Sequence, residues 1–147
     1  MINSRGFRNN NPLNIRLNTT KWIGKVEREK QTDTKFVVFQ SMAYGYRAAW
    51  KIMESYRVRF ASRGLRFCIQ NIICTWAPPT DGNDTDAYID KVQKLSGIYR
   101  MAELAPPERN KEKFIRILVA MTCVENGCTM VQVPEEAIEE GFELAFP

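Results

Sequence analysis

The sequence contains no histidine. Without an imidazole, the chain has no Ser–His or Cys–His nucleophile system, and it lacks the residue that holds most catalytic zinc ions. An enzyme with this composition must use carboxylates, lysine, tyrosine or cysteine. We therefore expect neither a metal site nor another cofactor.

Long apolar runs are missing as well. No stretch approaches the roughly 20 apolar residues that a membrane span needs, and the first twelve residues contain no apolar region of a signal peptide. We therefore expect no membrane span, and a protein that is cytoplasmic when it is made.

Cysteine is scarce, and its spacing matches no metal motif. Cys68, Cys74, Cys123 and Cys128 form no CxxC pair. Without a signal peptide, we expect free thiols that pack as small core side chains. A Cys68–Cys74 or Cys123–Cys128 disulfide is the alternative.

What is present is ordinary for one globular domain over residues 1–147. The chain is 44% hydrophobic and 26% charged, with a net charge of +4. This charge suits an anionic partner, such as a cell-wall polymer, but does not specify one. The densest basic group, at residues 57–66, matches no nucleic-acid-binding motif, so we expect no nucleic-acid partner.

Apolar residues recur at three- and four-residue spacing over most of the chain after residue 40. This pattern predicts five helices, at 41–60, 67–76, 84–96, 110–126 and 134–146. Two aromatic and β-branched runs, at 22–26 and 36–39, predict a small β-hairpin. Residues 1–20 predict an ordered loop without a helix. The predicted fold class is mainly α (α+β).

Glu125 continues the apolar stripe of the fourth predicted helix. Met121, Leu118 and Phe114 precede it by four, seven and eleven residues. A carboxylate on a core-facing stripe is costly unless it is partnered or used, and partial burial raises its pKa as a general acid requires. The alternative is a surface glutamate in a fraying last turn.

Two polar segments could bind a sugar. Asn10, Asn11 and Asn14 belong to a loop, residues 8–16, with four asparagines and two arginines. Thr85 and Tyr88 begin the third predicted helix, where an aromatic ring and a short polar group could contact a sugar. The alternatives are Asx turns that fix the loop, and ordinary core packing.

Several motifs resemble a lysozyme-like domain of phage virion structural proteins and prophage-encoded proteins. The segments are RNNNPLNIR, KWIGKV, KFVVFQSMAYGYRAAWKIMESY and ICTWAPPTDGNDTDAYIDKV, and they cover roughly residues 5–95. Leu13 stands where glycine is usual, Tyr46 separates Gly45 from Arg47, and Asp81-Gly82 replaces the usual glutamate. The resemblance implies a lysozyme-like helical fold.

The segment Met121-Thr-Cys-Val-Glu125-Asn-Gly127 resembles the catalytic helix end of lytic transglycosylases and glucosaminidases, placed here at the other end of the chain. A circularly permuted order would explain this, and it implies that Glu125 is the general acid. A hydrolase would need a second carboxylate, for which Glu27, Glu29 and Asp33 are the candidates. The alternative is that each of these carboxylates is simply a solvent-exposed charge in a turn.

The resemblance implies an enzyme that cleaves the β-1,4 glycan strands of peptidoglycan, as a lytic transglycosylase, muramidase or glucosaminidase. Its expected partners are peptidoglycan strands and other virion proteins, and it would act at the cell wall as a virion or lysis component. The alternative is a catalytically inactive virion structural or glycan-binding module.

Overall fold

The computed structural model describes residues 2–147, and its fold is mainly α. These residues form six α-helices and four 3-10 turns. The α-helices are α1 (Arg5–Arg8), α2 (Met42–Ser62), α3 (Ile69–Trp76), α4 (Thr85–Ser96), α5 (Lys111–Asn126) and α6 (Glu135–Ala145). The 3-10 turns are Arg28–Lys30, Pro79–Asp81, Pro107–Arg109 and Met130–Gln132. The five predicted helices are present, each within two residues of its predicted bounds.

The long helix α2 is the centre of the fold. Ser41 caps it, because its hydroxyl accepts a hydrogen bond from the Tyr44 backbone N–H (3.4 Å). Trp50 is fully buried on its inner face, where its indole N–H donates to the Ile138 carbonyl in α6 (3.0 Å). The ring of Trp50 also meets Phe142 of α6 edge-on. These contacts hold α6 along α2.

The second helix pair, α4 and α5, carries the site described below. α4 packs against α5, and each helix ends at a glycine in the left-handed conformation, at Gly97 (φ 72°) and Gly127 (φ 61°). Both helices end at the residues that the sequence predicted, 96 and 126. The stop at Gly127 places Glu125 in the last turn of α5, where its side chain meets α4.

The predicted hairpin is not confirmed as a pair of strands. Between residues 2 and 147 only isolated antiparallel bridges occur, Lys25–Phe39 and Arg16–Phe36. Runs 22–26 and 36–39 do approach each other, since Val26 N–H donates to the Val38 carbonyl (3.0 Å). Asparagine and glutamine side chains take many of the remaining backbone bonds, so no regular ladder extends.

The first twenty residues contain a helix that the sequence did not predict. α1 is one turn long, and the Ser4 hydroxyl accepts from the Phe7 backbone N–H at its start (3.4 Å). A helix of one turn is too short to show apolar periodicity, so this pattern could not predict α1.

All four cysteines are free thiols, as expected. Cys68, Cys123 and Cys128 are buried, whereas Cys74 is exposed. In the part of the chain that the structure describes, no helix is long and apolar enough to span a bilayer.

Replacing Trp50 by alanine should lower the free energy of unfolding by about 3–5 kcal/mol, because a large cavity opens between α2 and α6. Val58→Ala is the control, since Val58 lies on the same helix but is 61% exposed. It should change stability by no more than about 0.5 kcal/mol. Urea unfolding measures both, and equal losses would contradict the packing described here.

Candidate functional site

Asn11 fixes the shape of the asparagine-rich loop (residues 8–16). Its side chain is fully buried; the amide donates to the carbonyls of Ile15 and Val37 (2.9 Å each), and the amide oxygen accepts from the Ile15 N–H (2.9 Å). These bonds replace those of a sheet edge. The structure therefore gives Asn11 a role inside the loop and leaves no part of its side chain open to a ligand.

Asp33 ties the same loop to the chain that follows it. Its carboxylate accepts two bonds from Arg5 (2.6 and 2.9 Å) and one from Asn9 (2.9 Å). It also accepts from the backbone N–H groups of Lys35 and Phe36. The Arg5 guanidinium, followed by these other donors, holds the pKa of Asp33 far below its usual range, against the opposing effect of burial.

Asn126 fastens the loop to the end of α5. Its amide donates to the Pro12 carbonyl (2.7 Å), and its oxygen accepts from the Ser4 hydroxyl (2.6 Å). Gly6 makes this approach possible: a Cβ at that position would lie 2.6 Å from Asn126 Oδ1 and 3.1 Å from Asn14 Oδ1. The loop therefore lies directly against the helix end that carries Glu125.

Glu125 is half-buried between the loop and α4. Asn14 donates its amide N–H to Glu125 Oε1 (2.9 Å), and the Tyr88 hydroxyl donates to Oε2 (2.9 Å). The two donors come from opposite sides, one from the loop and one from α4. Each oxygen of the carboxylate thus has a fixed partner.

Burial raises the pKa of Glu125 above its usual value, although Asn14, Tyr88 and the Trp76 side chain act in the opposite direction. The pKa of Tyr88 is also raised, first by burial and then by the neighbouring carboxylate. Tyr88 consequently stays a neutral hydrogen-bond donor. Glu125 is therefore protonated more readily than an exposed glutamate.

Asn14 is held in an unfavourable backbone conformation. Its φ of 53° lies in the left-handed region, which asparagine tolerates better than most residues. Its side-chain oxygen is buried without a hydrogen-bond partner, while its amide N–H points at Glu125. Strain and an unpaired polar atom at one residue are typical of functional sites.

A cleft of about 340 Å³ opens beside the carboxylate. Its lining residues come from the start of α4 and the end of α5: Asn83, Asp84, Ala87, Tyr88, Lys91, Val124 and Glu125. The cleft is mixed in character, with apolar, amide, acidic and basic groups. It offers a ligand direct access to Glu125.

The other residues predicted for the site lie elsewhere. Thr85 is buried, and its hydroxyl donates to the Ala77 carbonyl (2.6 Å), so it fixes the start of α4. Asn10 donates to the Phe39 carbonyl (3.1 Å) and lines a different depression together with Glu27. Glu27 is exposed and lies 3.6 Å from Lys30, and Glu29 is also exposed. The structure brings together Asn14, Tyr88 and Glu125 from the predicted set.

Sequence reasoning did not assign Asn126 or Lys91 to this site. Asn126 anchors the loop, and Lys91 lines the cleft together with Asp84. Lys91 follows Tyr88 by three residues, so helical spacing alone could have placed it on the same face. The contacts of Asn126 join residues that are distant in the sequence, so no local pattern could have predicted them.

The arrangement is suited to proton transfer to a bound ligand. A half-buried carboxyl with a raised pKa, two directed donors and an open cleft are the features of a general acid. Among residues 2–147, no cluster of three or more acidic or cysteine side chains is arranged to hold a metal ion.

A comparison with known proteins finds similarity to a phage protein. The chain is 36% identical over 146 residues to "Protein P5" of Pseudoalteromonas phage PM2, and the alignment covers 97% of this chain and 82% of that protein. That name states no activity. No family model matches the chain.

Asp33→Asn should destabilise the protein at pH 7, because the amide cannot accept all the bonds that the carboxylate accepts. The folded-state pKa of Asp33 lies below its unfolded value of about 3.9, so its contribution is complete above that pH and is lost as the pH falls. The difference in urea midpoint between parent and variant should therefore shrink below about pH 4. Asp90→Asn, at a carboxylate that is 69% exposed, is the control and should show neither effect.

Tyr88→Phe should raise the pKa of Glu125 further, because it removes a donor that favours the charged form. The rise should be on the order of one pH unit, since a hydrogen bond to a charged group contributes about 1.5–3 kcal/mol and one unit corresponds to about 1.4 kcal/mol. Carbon-13 NMR titration of the glutamate carboxyl groups measures it. Tyr99→Phe, at a side chain 65% exposed, should leave this pKa unchanged. An equal or lower pKa in Tyr88→Phe would refute the assigned bond.

Proposed function

The chain belongs to the family of protein P5 of Pseudoalteromonas phage PM2, and from this premise we propose that it is a phage enzyme that cleaves the β-1,4 glycan strands of peptidoglycan. Glu125 is the general acid in this proposal. A phage has to cross the cell wall of its host, which gives such an activity a place in the phage life cycle. The lysozyme-like resemblance of the loop, the α2 segment and the α4 segment supports the same substrate.

The observation that carries the proposal is the state of Glu125. Its carboxyl is half-buried, its pKa is raised by burial, and it faces a cleft of about 340 Å³. A surface glutamate in a fraying turn would have none of these properties. A carboxyl with a raised pKa can donate its proton to the oxygen of a glycosidic bond.

The carboxylates around the site support a mechanism with one acid. Asp33 is occupied by Arg5, Asn9 and two backbone groups, while Glu27 is exposed and belongs to another depression. Asp84 lines the cleft, but its carboxylate caps α4 by accepting from the Ala87 N–H (3.1 Å). None of them is placed as a dedicated nucleophile or base.

A lytic transglycosylase needs only one such group. Glu125 protonates the leaving oxygen, and the muramyl 6-hydroxyl attacks the anomeric carbon in place of water. The carboxylate of Glu125 then accepts the proton of that hydroxyl, so the residue returns to its starting state. The product is a 1,6-anhydromuramyl end, and Asn14 and Tyr88 hold the carboxylate in position throughout.

One observation favours a second candidate, a virion module that binds glycan without cutting it. Both oxygens of Glu125 are already bonded to protein groups, as they would be in a purely structural carboxylate. This candidate keeps the cleft and the glycan partner but assigns no proton transfer to Glu125.

Glu125→Gln should lower the rate of peptidoglycan cleavage by about 10²–10⁴-fold, because the amide cannot donate the required proton. The variant should remain folded and should still bind purified peptidoglycan, since glutamine keeps the shape of the side chain. Glu136→Gln, which removes an exposed carboxylate from α6, is the control and should cleave at the parent rate.

Mass analysis of the released muropeptides distinguishes the alternatives. Anhydro ends support the transglycosylase, and reducing ends indicate a hydrolase that uses a water molecule. Binding without any release, by the parent protein, would favour the virion module. Full activity in Glu125→Gln would remove this residue from the mechanism.

A further inference from the structure

Lys91 is the one basic residue among those that line the cleft beside Glu125. It lies one helical turn beyond Tyr88 on α4, a rise of about 4.5 Å along the axis. Tyr88 in turn touches the Glu125 carboxylate. Lys91 therefore lies on the same side of the cleft as Tyr88, which holds the Glu125 carboxylate in position.

This ammonium has no anionic partner in the protein. Within the described range, 2–147, no carboxylate lies within 4.0 Å of Lys91, although seven other ion pairs occur on the surface. The two oxygens of Glu125 accept hydrogen bonds from Asn14 and Tyr88. Asp84, the other acid of the cleft, is engaged with the backbone of α4.

The Lys91 side chain is exposed, and it lines the α4 side of the cleft. Its charge acts on the Cys123 thiol of α5, where it opposes the rise in pKa that burial causes. The cleft that Lys91 lines lies between the start of α4 and the end of α5 and also contains Val124 and Glu125. The Lys91 ammonium group is therefore close to any ligand that binds beside Glu125.

We propose that Lys91 binds a carboxylate of the glycan substrate and makes the cleft selective for anionic over neutral β-1,4 glycans. The inference rests on the proposed function, because it concerns the ligand of the same cleft. Peptidoglycan carries carboxylates on its stem peptides, and on the lactyl group of muramic acid once the peptide has been removed. Chitin, which has the same linkage and N-acetyl groups, carries none.

Three substrates separate the sources of the carboxylate: intact sacculi, glycan strands from which an amidase has removed the peptides, and soluble chitin oligosaccharides. Four proteins are compared on each, namely the parent, Lys91→Gln, Lys91→Arg and Lys94→Gln. Lys94 is the matched control, because it lies on the same helix, is exposed and does not line the cleft.

For Lys91→Gln we expect KM to rise about five- to thirtyfold on the anionic substrates, with kcat little changed. Lys91→Arg should restore most of the affinity, and added salt should reduce the difference between parent and Lys91→Gln. Lys94→Gln should behave as the parent does. A loss confined to intact sacculi identifies a stem-peptide carboxylate, and a loss confined to stripped strands identifies the lactyl carboxylate.

The proposal is overturned if Lys91→Gln loses no more affinity than Lys94→Gln, or if it loses as much on neutral chitin as on peptidoglycan. A parent protein that cleaves none of the substrates refutes the proposed enzyme, and the same four proteins are then compared for co-sedimentation with sacculi. Weaker sedimentation of Lys91→Gln alone would support the carboxylate contact in a binding module. Equal sedimentation, or none, would refute it.

Discussion

The side chain of Asn126 is the contact on which the site depends. It joins Ser4 and Pro12 to the end of α5 through two side-chain hydrogen bonds, and its amide also donates to the Thr122 carbonyl within α5. These bonds help to hold the asparagine-rich loop beside Glu125, where Asn14 reaches the carboxylate. The side-chain amide of Asn126 therefore holds the loop against the helix end that carries Glu125.

The fold also places the Glu125 carboxylate at a position where an apolar side chain would cost less free energy. The inner stripe of α5 runs through Phe114, Leu118 and Met121, all fully buried, and Glu125 continues it. Burial disfavours the charged carboxylate, and two directed donors offset only part of that cost. Asn14 adds a strained backbone and an unpaired oxygen. Proteins usually keep such destabilising groups where the groups have a function.

The helices were predictable because their signals are local. The apolar spacing, the Ser41 cap and the terminal glycines each lie within a few residues of the feature they determine. The hairpin was predicted from β-forming residues, but the backbone groups of that region are bonded to Asn11 and Gln31 side chains in place of a second strand. Residue type alone does not show which partner a backbone group will take.

The site was predictable only in outline, for a related reason. Glu125 could be found from its stripe, and Tyr88 and Asn14 from composition and resemblance. The roles of Asn11 and Asp33 could not, because both are determined by bonds to residues that are distant in the sequence. An asparagine in a polar loop looks the same whether it faces a ligand or holds the loop together.

The distance along the chain between the N-terminal segment and the end of α5 has a consequence for synthesis. Ser4 and Asn126 are 122 residues apart, and Asn14 and Glu125 are 111 apart. At about 5–20 residues per second, a ribosome needs about 6–24 s to deliver Asn126 after Ser4 has been made. During that interval the loop lacks the helix end against which it packs, so a nascent chain that ends before α5 cannot form the bond between Asn14 and Glu125.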